Sequence, residues 1–172
     1  DLEQAARACV ASRLINGGQS CIAAKRFIVA QRVLDEFTAW FVQEMRHQQV
    51  GDPLDATTTV GPLARVDLRD TLHGQVLASL RRGAHCALGG EFPSGPAAFY
   101  PPTVLTEVTP GMPVFDEETF GPVVTVDRVD TLDEATARAS SKVEEQCKDL
   151  GANERYVIAA QVAVAAIRFA IL

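Results

Sequence analysis

Residues 15–27 read INGGQSCIAAKRF: a turn, a cysteine and the start of an apolar strand in one short run. Asn16-Gly17-Gly18 predicts the turn, because glycine tolerates backbone conformations that other residues resist. Arg26 to Ala30, RFIVA, is short and rich in bulky apolar residues, which predicts a buried strand. Upstream, apolar residues at 2, 5, 6, 9, 10 and 14 repeat with helical spacing. Cys21 therefore sits where a helix hands over to a strand. Two readings are open for it. A nucleophilic thiol needs exposure, an electropositive setting and backbone NH groups facing an oxyanion. A structural thiol needs only to pack as a small hydrophobe at the mouth of the strand. Lys25 and Arg26 lie near in sequence, but strand geometry is expected to point them away from it.

The same alternation continues outward. Val33, Leu34, Phe37, Trp40, Phe41 and Met45 share a helical face, and Gly51-Asp52-Pro53 follows. Leu63 to Arg82 predicts a second long helix, with Val66, Leu72, Val76, Leu77 and Leu80 inward. Short strands are expected at Cys86 to Leu88, Thr103 to Val108 and Pro122 to Val126, with a surface loop GGEFPSGPAA after the first. Thr131 and Glu134 read as a capping box opening a helix over 132–139. Strands alternating with helices predict an α/β domain with a largely parallel sheet. The pattern changes near Ser140, so residues 1–139 form the expected domain and 140–172 a divergent tail. Within that tail, Tyr156 to Leu172 is apolar but shorter than the about 20 residues of a membrane span, so no membrane segment is expected.

Composition narrows the function classes. The chain has 172 residues, 47% of them hydrophobic, enough for a real core. A net charge of −6 argues against a nucleic-acid partner, which requires a basic stripe. Cys9, Cys21, Cys86 and Cys147 form no CxxC pair, and no His lies at metal-ligand spacing, so no metal site is expected. The cysteines read as reduced thiols of a cytoplasmic protein, with Cys9 buried on its helix. His47, His73 and His85 are scattered, and Trp40 reads as helix packing.

Glu117-Glu118-Thr119-Phe120-Gly121-Pro122 is the second unusual stretch. A carboxylate here can accept hydrogen bonds from both hydroxyls of a ribose, and a phenyl ring can pack on a flat heterocycle. The competing reading is a solvated acidic turn whose Phe120 dips into the core. INGGQSC followed by EETFGPVV, with Glu118 97 residues after Cys21, resembles the aldehyde dehydrogenase superfamily. The intervening GDPLDATTTVGPLARVDLRDTLHGQV, Gly89-Gly90 and FYPPTVLTEVTPGMPVFDEE resemble it in the same order. AAKRFIV is similar to the branch that oxidises succinate semialdehyde.

The resemblance covers Asp1 to about Ala139. It implies the parallel-sheet, three-layer catalytic domain of that family, present here incompletely. It implies Cys21 as nucleophile, adding to an aldehyde and passing through a thiohemiacetal and a thioester, with the Cys21 NH in the oxyanion hole. Glu118 would bind the nicotinamide ribose and Phe120 would pack near the nicotinamide of NAD or NADP. The small-molecule partner is then an aldehyde. The family's dinucleotide-binding domain, oxyanion-hole asparagine and E-L-G-G glutamate precede the cysteine and are not matched in this sequence; Asn16 belongs to the cysteine motif. The expectations for the isolated chain are weak NAD(P) binding with slow or absent turnover, and homo-oligomerisation or other association through apolar surface exposed on the helix at 2–14 and the strand at 26–30. Two further functions remain open: a non-enzymatic remnant that binds a partner, and a reactive-thiol, acyl-accepting protein without hydride transfer.

Overall fold

The computed structural model describes residues 1–92, 97–131, 133–138 and 140. The chain enters through α1 (Leu2–Arg13), capped where the Asp1 side chain accepts from the Gln4 N–H at 3.0 Å. The turn Ile15–Gly18 follows, then β1 (Arg26–Ala30) and α2 (Leu34–Arg46). Next come α3 (Val66–Arg81), β2 (His85–Leu88), β3 (Thr103–Thr106), the one-turn α4 (Pro113–Asp116) and β4 (Val123–Val129).

The strands form one sheet in the order β1-β4-β3-β2. β1 pairs with β4 and β4 with β3, both parallel. β2 departs from the expected parallel arrangement: it runs antiparallel to β3. The connection between them contains no described helix, and a parallel crossover normally needs one. The α/β expectation thus holds with a mixed sheet.

Side chains alternate across β4, as strand geometry requires. Val124 and Val126 meet Ala5, Ala6 and Val10 of α1 and Phe37, Phe41 and Met45 of α2. Val123 faces the other way, toward Leu72 and Val76 of α3 and Val114 of α4. Helices therefore cover both faces, giving three layers.

Several local expectations shift. Leu63 lies outside α3 because its N–H is donated to the Ala98 carbonyl at 2.8 Å. Val66 and Leu77 are exposed, while Arg69, His73 and Ser79 are buried in their stead. β3 stops at Thr106, where Glu107 adopts a left-handed φ of 57°. Cys9 is half-buried against the α1–α2 core. The capping box forms one residue off: Thr131 Oγ1 accepts from Glu134 N–H, but Glu134 Oε2 accepts from Asp130 N–H. α1 buries its apolar face against α2, so it is not the exposed surface that was expected. The exposed large apolar residues include Ile22, Leu54 and Phe92, all in loops. No helix among the described residues is long and apolar enough to cross a membrane. Of the expected tail only Ser140 is described; residues 141–172, with Cys147 and Tyr156 to Leu172, lie outside the described residues.

Candidate active site

Parallel pairing of β1 with β4 brings together the loops that enter their amino ends. One carries Cys21 and the other Glu118 and Phe120. Arg26 is level with Thr125, and the Thr125 N–H donates to the Lys25 carbonyl at 3.1 Å. The two sequence stretches singled out above are thus neighbours in space.

The cysteine turn is built from left-handed backbone. Asn16, Gly17 and Gly18 have φ of 50°, 62° and 78°. Gly18 also lies against the second loop: its carbonyl accepts from the Gly121 N–H at 2.9 Å, and a Cβ on Gly18 would overlap the Gly121 carbonyl. Glycine is required there for conformation and for space. Gln19 anchors the turn from below. Its Oε1 accepts from Ala64 N–H at 2.8 Å and its Nε2 donates to the Pro62 carbonyl at 3.4 Å. Cys21 is exposed and free. Among the described residues, neither its thiol nor its N–H has a hydrogen-bond partner. An exposed thiol beside a free N–H is the arrangement an oxyanion donor needs.

In the second loop, Glu118 is well exposed and Phe120 is 37% exposed. The ring does not dip into the core. Gln75 of α3 holds this loop, donating to Glu117 Oε2 at 2.9 Å and the Glu118 carbonyl at 3.1 Å. The Lys25 ammonium pairs with Glu118 Oε1 and lies 5.5 Å from the centre of the Phe120 ring. Arg26 takes the other direction. It stacks 3.6 Å over Phe115 and pairs with buried Asp127 at 3.1 Å. Burial pulls the Arg26 guanidinium down and pushes the Asp127 carboxyl up, and each opposes the other's shift.

Sequence reasoning missed Arg13. It is fully buried at the end of α1, and its guanidinium donates to the carbonyls of Ala24, Thr119 and Gly121. Burial lowers its pKa to about 10, which leaves it protonated at neutral pH. Gln75 was missed as well. Both bond to atoms of the Glu118 loop more than 40 residues away in sequence, which leaves no local signal.

The residues present suit a nicotinamide riboside. A carboxylate with an oxygen not taken by Lys25 can accept ribose hydroxyls, an exposed ring can pack on the base, and the thiol lies on the adjoining loop. Fold and site together define an α/β domain with a thiol on a glycine turn beside a carboxylate-bearing loop. The sequence matches the aldehyde dehydrogenase family over residues 1–143, and the chain belongs to that family. It is 50% identical over 126 residues to the NAD(P)+ succinate semialdehyde dehydrogenase Sad of Escherichia coli, covering 73% of this chain and 27% of that protein. It is 45% identical over 141 residues to the NADP(+) succinate-semialdehyde dehydrogenase of Mycobacterium avium, covering 82% and 30%. The solved succinic semialdehyde dehydrogenase of Streptococcus pyogenes, in complex with NADP+, superposes with a TM-score of 0.77 at 33% identity, covering 81% of this chain and 31% of that one. The chain thus spans less than a third of the length of these relatives.

Proposed function

We propose that this chain supplies the nucleophile and the nicotinamide-ribose carboxylate of an NAD- or NADP-dependent aldehyde dehydrogenase acting on succinate semialdehyde. The observation that carries the reading is the meeting of the Cys21 turn with the Glu118–Phe120 loop at adjacent strand ends. The substrate assignment rests on the likeness to succinate-semialdehyde dehydrogenases at 45–50% identity.

The Cys21 thiolate adds to the aldehyde carbon, and the oxygen that becomes negative is stabilised by the free Cys21 N–H. Glu118 would hold the ribose of the cofactor through its hydroxyls, and Phe120 would pack beside the base. NAD(P)+, when bound, would be the two-electron oxidant, with the hydride leaving the carbon attached to Cys21 sulfur. That leaves a thioester on Cys21, which water then cleaves to the carboxylic acid and the free thiol. A positioned base speeds such a step by ~10²–10⁴-fold. The E-L-G-G glutamate that the family uses is not among these 172 residues. We therefore expect the isolated 172-residue chain to form the thioester and release it slowly. Free Cys9, Cys21 and Cys86 are in keeping with a reducing, cytoplasmic setting.

The test is reduced-nicotinamide formation from succinate semialdehyde with each cofactor, with Cys21→Ser as control. Turnover of the isolated chain at the median rate of enzymes, roughly 10 per second, would overturn the expected impairment. Acylation of Cys21 by an activated ester such as p-nitrophenyl acetate, with p-nitrophenolate leaving and no reduced nicotinamide formed from the aldehyde, would favour the acyl-accepting reading instead.

A further inference from the structure

We infer that Arg13 is a positioning residue: its guanidinium fixes the cysteine turn against the loop carrying Glu118 and Phe120. The inference rests on reading these two loops as halves of one site.

Arg13 is the last residue of α1 and is 0% exposed. Nη1 donates to the carbonyl of Ala24 at 3.3 Å, on the stretch running from Cys21 into β1. Nη2 donates to the carbonyl of Thr119 at 3.1 Å and to that of Gly121. These two flank Phe120, and Thr119 directly follows Glu118. One side chain thus grips both loops at once, between the nucleophile candidate and the ribose carboxylate candidate.

Two features argue for a positioning role over simple core filling. Among the described residues no carboxylate pairs with Arg13, and its Nε is buried with no hydrogen-bond partner. A buried cation without a counter-ion is costly, and an apolar side chain of similar volume would fill the space more favourably. The guanidinium is therefore placed by the carbonyls it reaches. Reaching carbonyls on two loops needs donors that diverge in a plane, which arginine has and lysine lacks. Beside it, the Gly121 N–H to Gly18 carbonyl bond ties the same loops a second time, at a point where Gly18 leaves no room for a side chain.

The experiment is amide hydrogen exchange on the 172-residue chain carrying Arg13→Lys, read together with the rate at which iodoacetamide labels Cys21. Neither readout depends on aldehyde oxidation, so failure of the enzymatic reading stays distinguishable. The expected result is a loss of at least tenfold in protection at the Gly121 and Thr125 amides. Val104 and Val126, in the core strands, keep theirs, and Cys21 labels at least threefold faster. Uniform loss across all four amides would reduce Arg13 to general core stability. Unchanged exchange and labelling would show that the loops hold without it. Either result overturns the inference. Should Arg13→Lys fail to fold, the unmodified chain in graded urea decides: Gly121 exchange and Cys21 labelling must rise with the same urea dependence. Separate dependences would mean that the loops open independently.

Discussion

A thiol reacts through its thiolate, so burial sorts the cysteines before any role is assigned. Burial pushes the Cys9 thiol up to about 11, leaving about 0.1% thiolate at pH 8, and pushes Cys86 up as well. Cys21 alone of these three is exposed. At pH 8, iodoacetamide followed by peptide mass spectrometry should label Cys21 at least tenfold faster than Cys9. Equal rates would return Cys21 to the packed-thiol reading. Lys25 contacts only one oxygen of Glu118, so it orients the carboxylate without covering it. An exposed pair of this kind is worth about 0–1 kcal/mol. Lys25→Met should then raise the cofactor KM by up to about fivefold and leave kcat unchanged in any protein that contains this chain and turns over; a tighter KM would mean that Lys25 blocks the ribose. Cys21, Glu118 and Phe120 stood out as candidates because each lies in a short motif of unusual composition, and only the likeness of the paired motifs to a known family favoured a functional reading of them. Arg13 was not, because a buried arginine bonded to carbonyls across the fold looks in sequence like any arginine ending a helix.

At the scale of the elements, glycine placement is the most demanding feature. Gly18 combines a left-handed φ of 78° with contact against Gly121. Gly18→Ala should destabilise the chain by about 1–3 kcal/mol from backbone strain, and more from the overlap. Thermal unfolding measures this, and an unchanged Tm would mean that the two loops do not touch. The three long helices were legible from apolar spacing, since each buries one face. α4 was not: Pro113–Asp116 is too short for any period to register. The inward face of α3 was misread because it carries Arg69, His73 and Ser79. Their polar atoms are satisfied inside, as when Ser79 Oγ donates to the Gln75 carbonyl at 2.8 Å and accepts from Val114 N–H at 3.1 Å. A pattern built on hydrophobicity cannot see such residues. The antiparallel β2 could have been anticipated, because the loop before β3 carries no helical repeat.

Across the whole molecule, helices on both faces enclose the sheet, and His73 on one face gives stability a pH dependence. His73 is buried against Tyr100, with Nδ1 and the phenol oxygen 3.1 Å apart, and edge-on to Phe92. Burial holds its pKa below the usual value, with Asp70 opposing that shift and Arg69 adding to it. The unfolded chain therefore binds the proton more readily. The stabilisation is complete above about pH 6.5 and is lost as pH falls through the lowered folded value. The Tm of the chain should drop between pH 7 and pH 5, and His73→Phe should flatten that slope. Identical slopes would show that His73 does not carry it.

The central claim is that Cys21 is the nucleophile of a site shared with Glu118 and Phe120. The most direct measurement mixes the 172-residue chain with succinate semialdehyde and saturating NAD+ or NADP+. Reduced nicotinamide is followed by absorbance and the acyl group by peptide mass spectrometry, beside Cys21→Ser. The expected result is about one equivalent of reduced nicotinamide per chain, with a matching acyl group on Cys21 and neither signal in the variant. The same trace in Cys21→Ser, or no acyl group on Cys21, would contradict it.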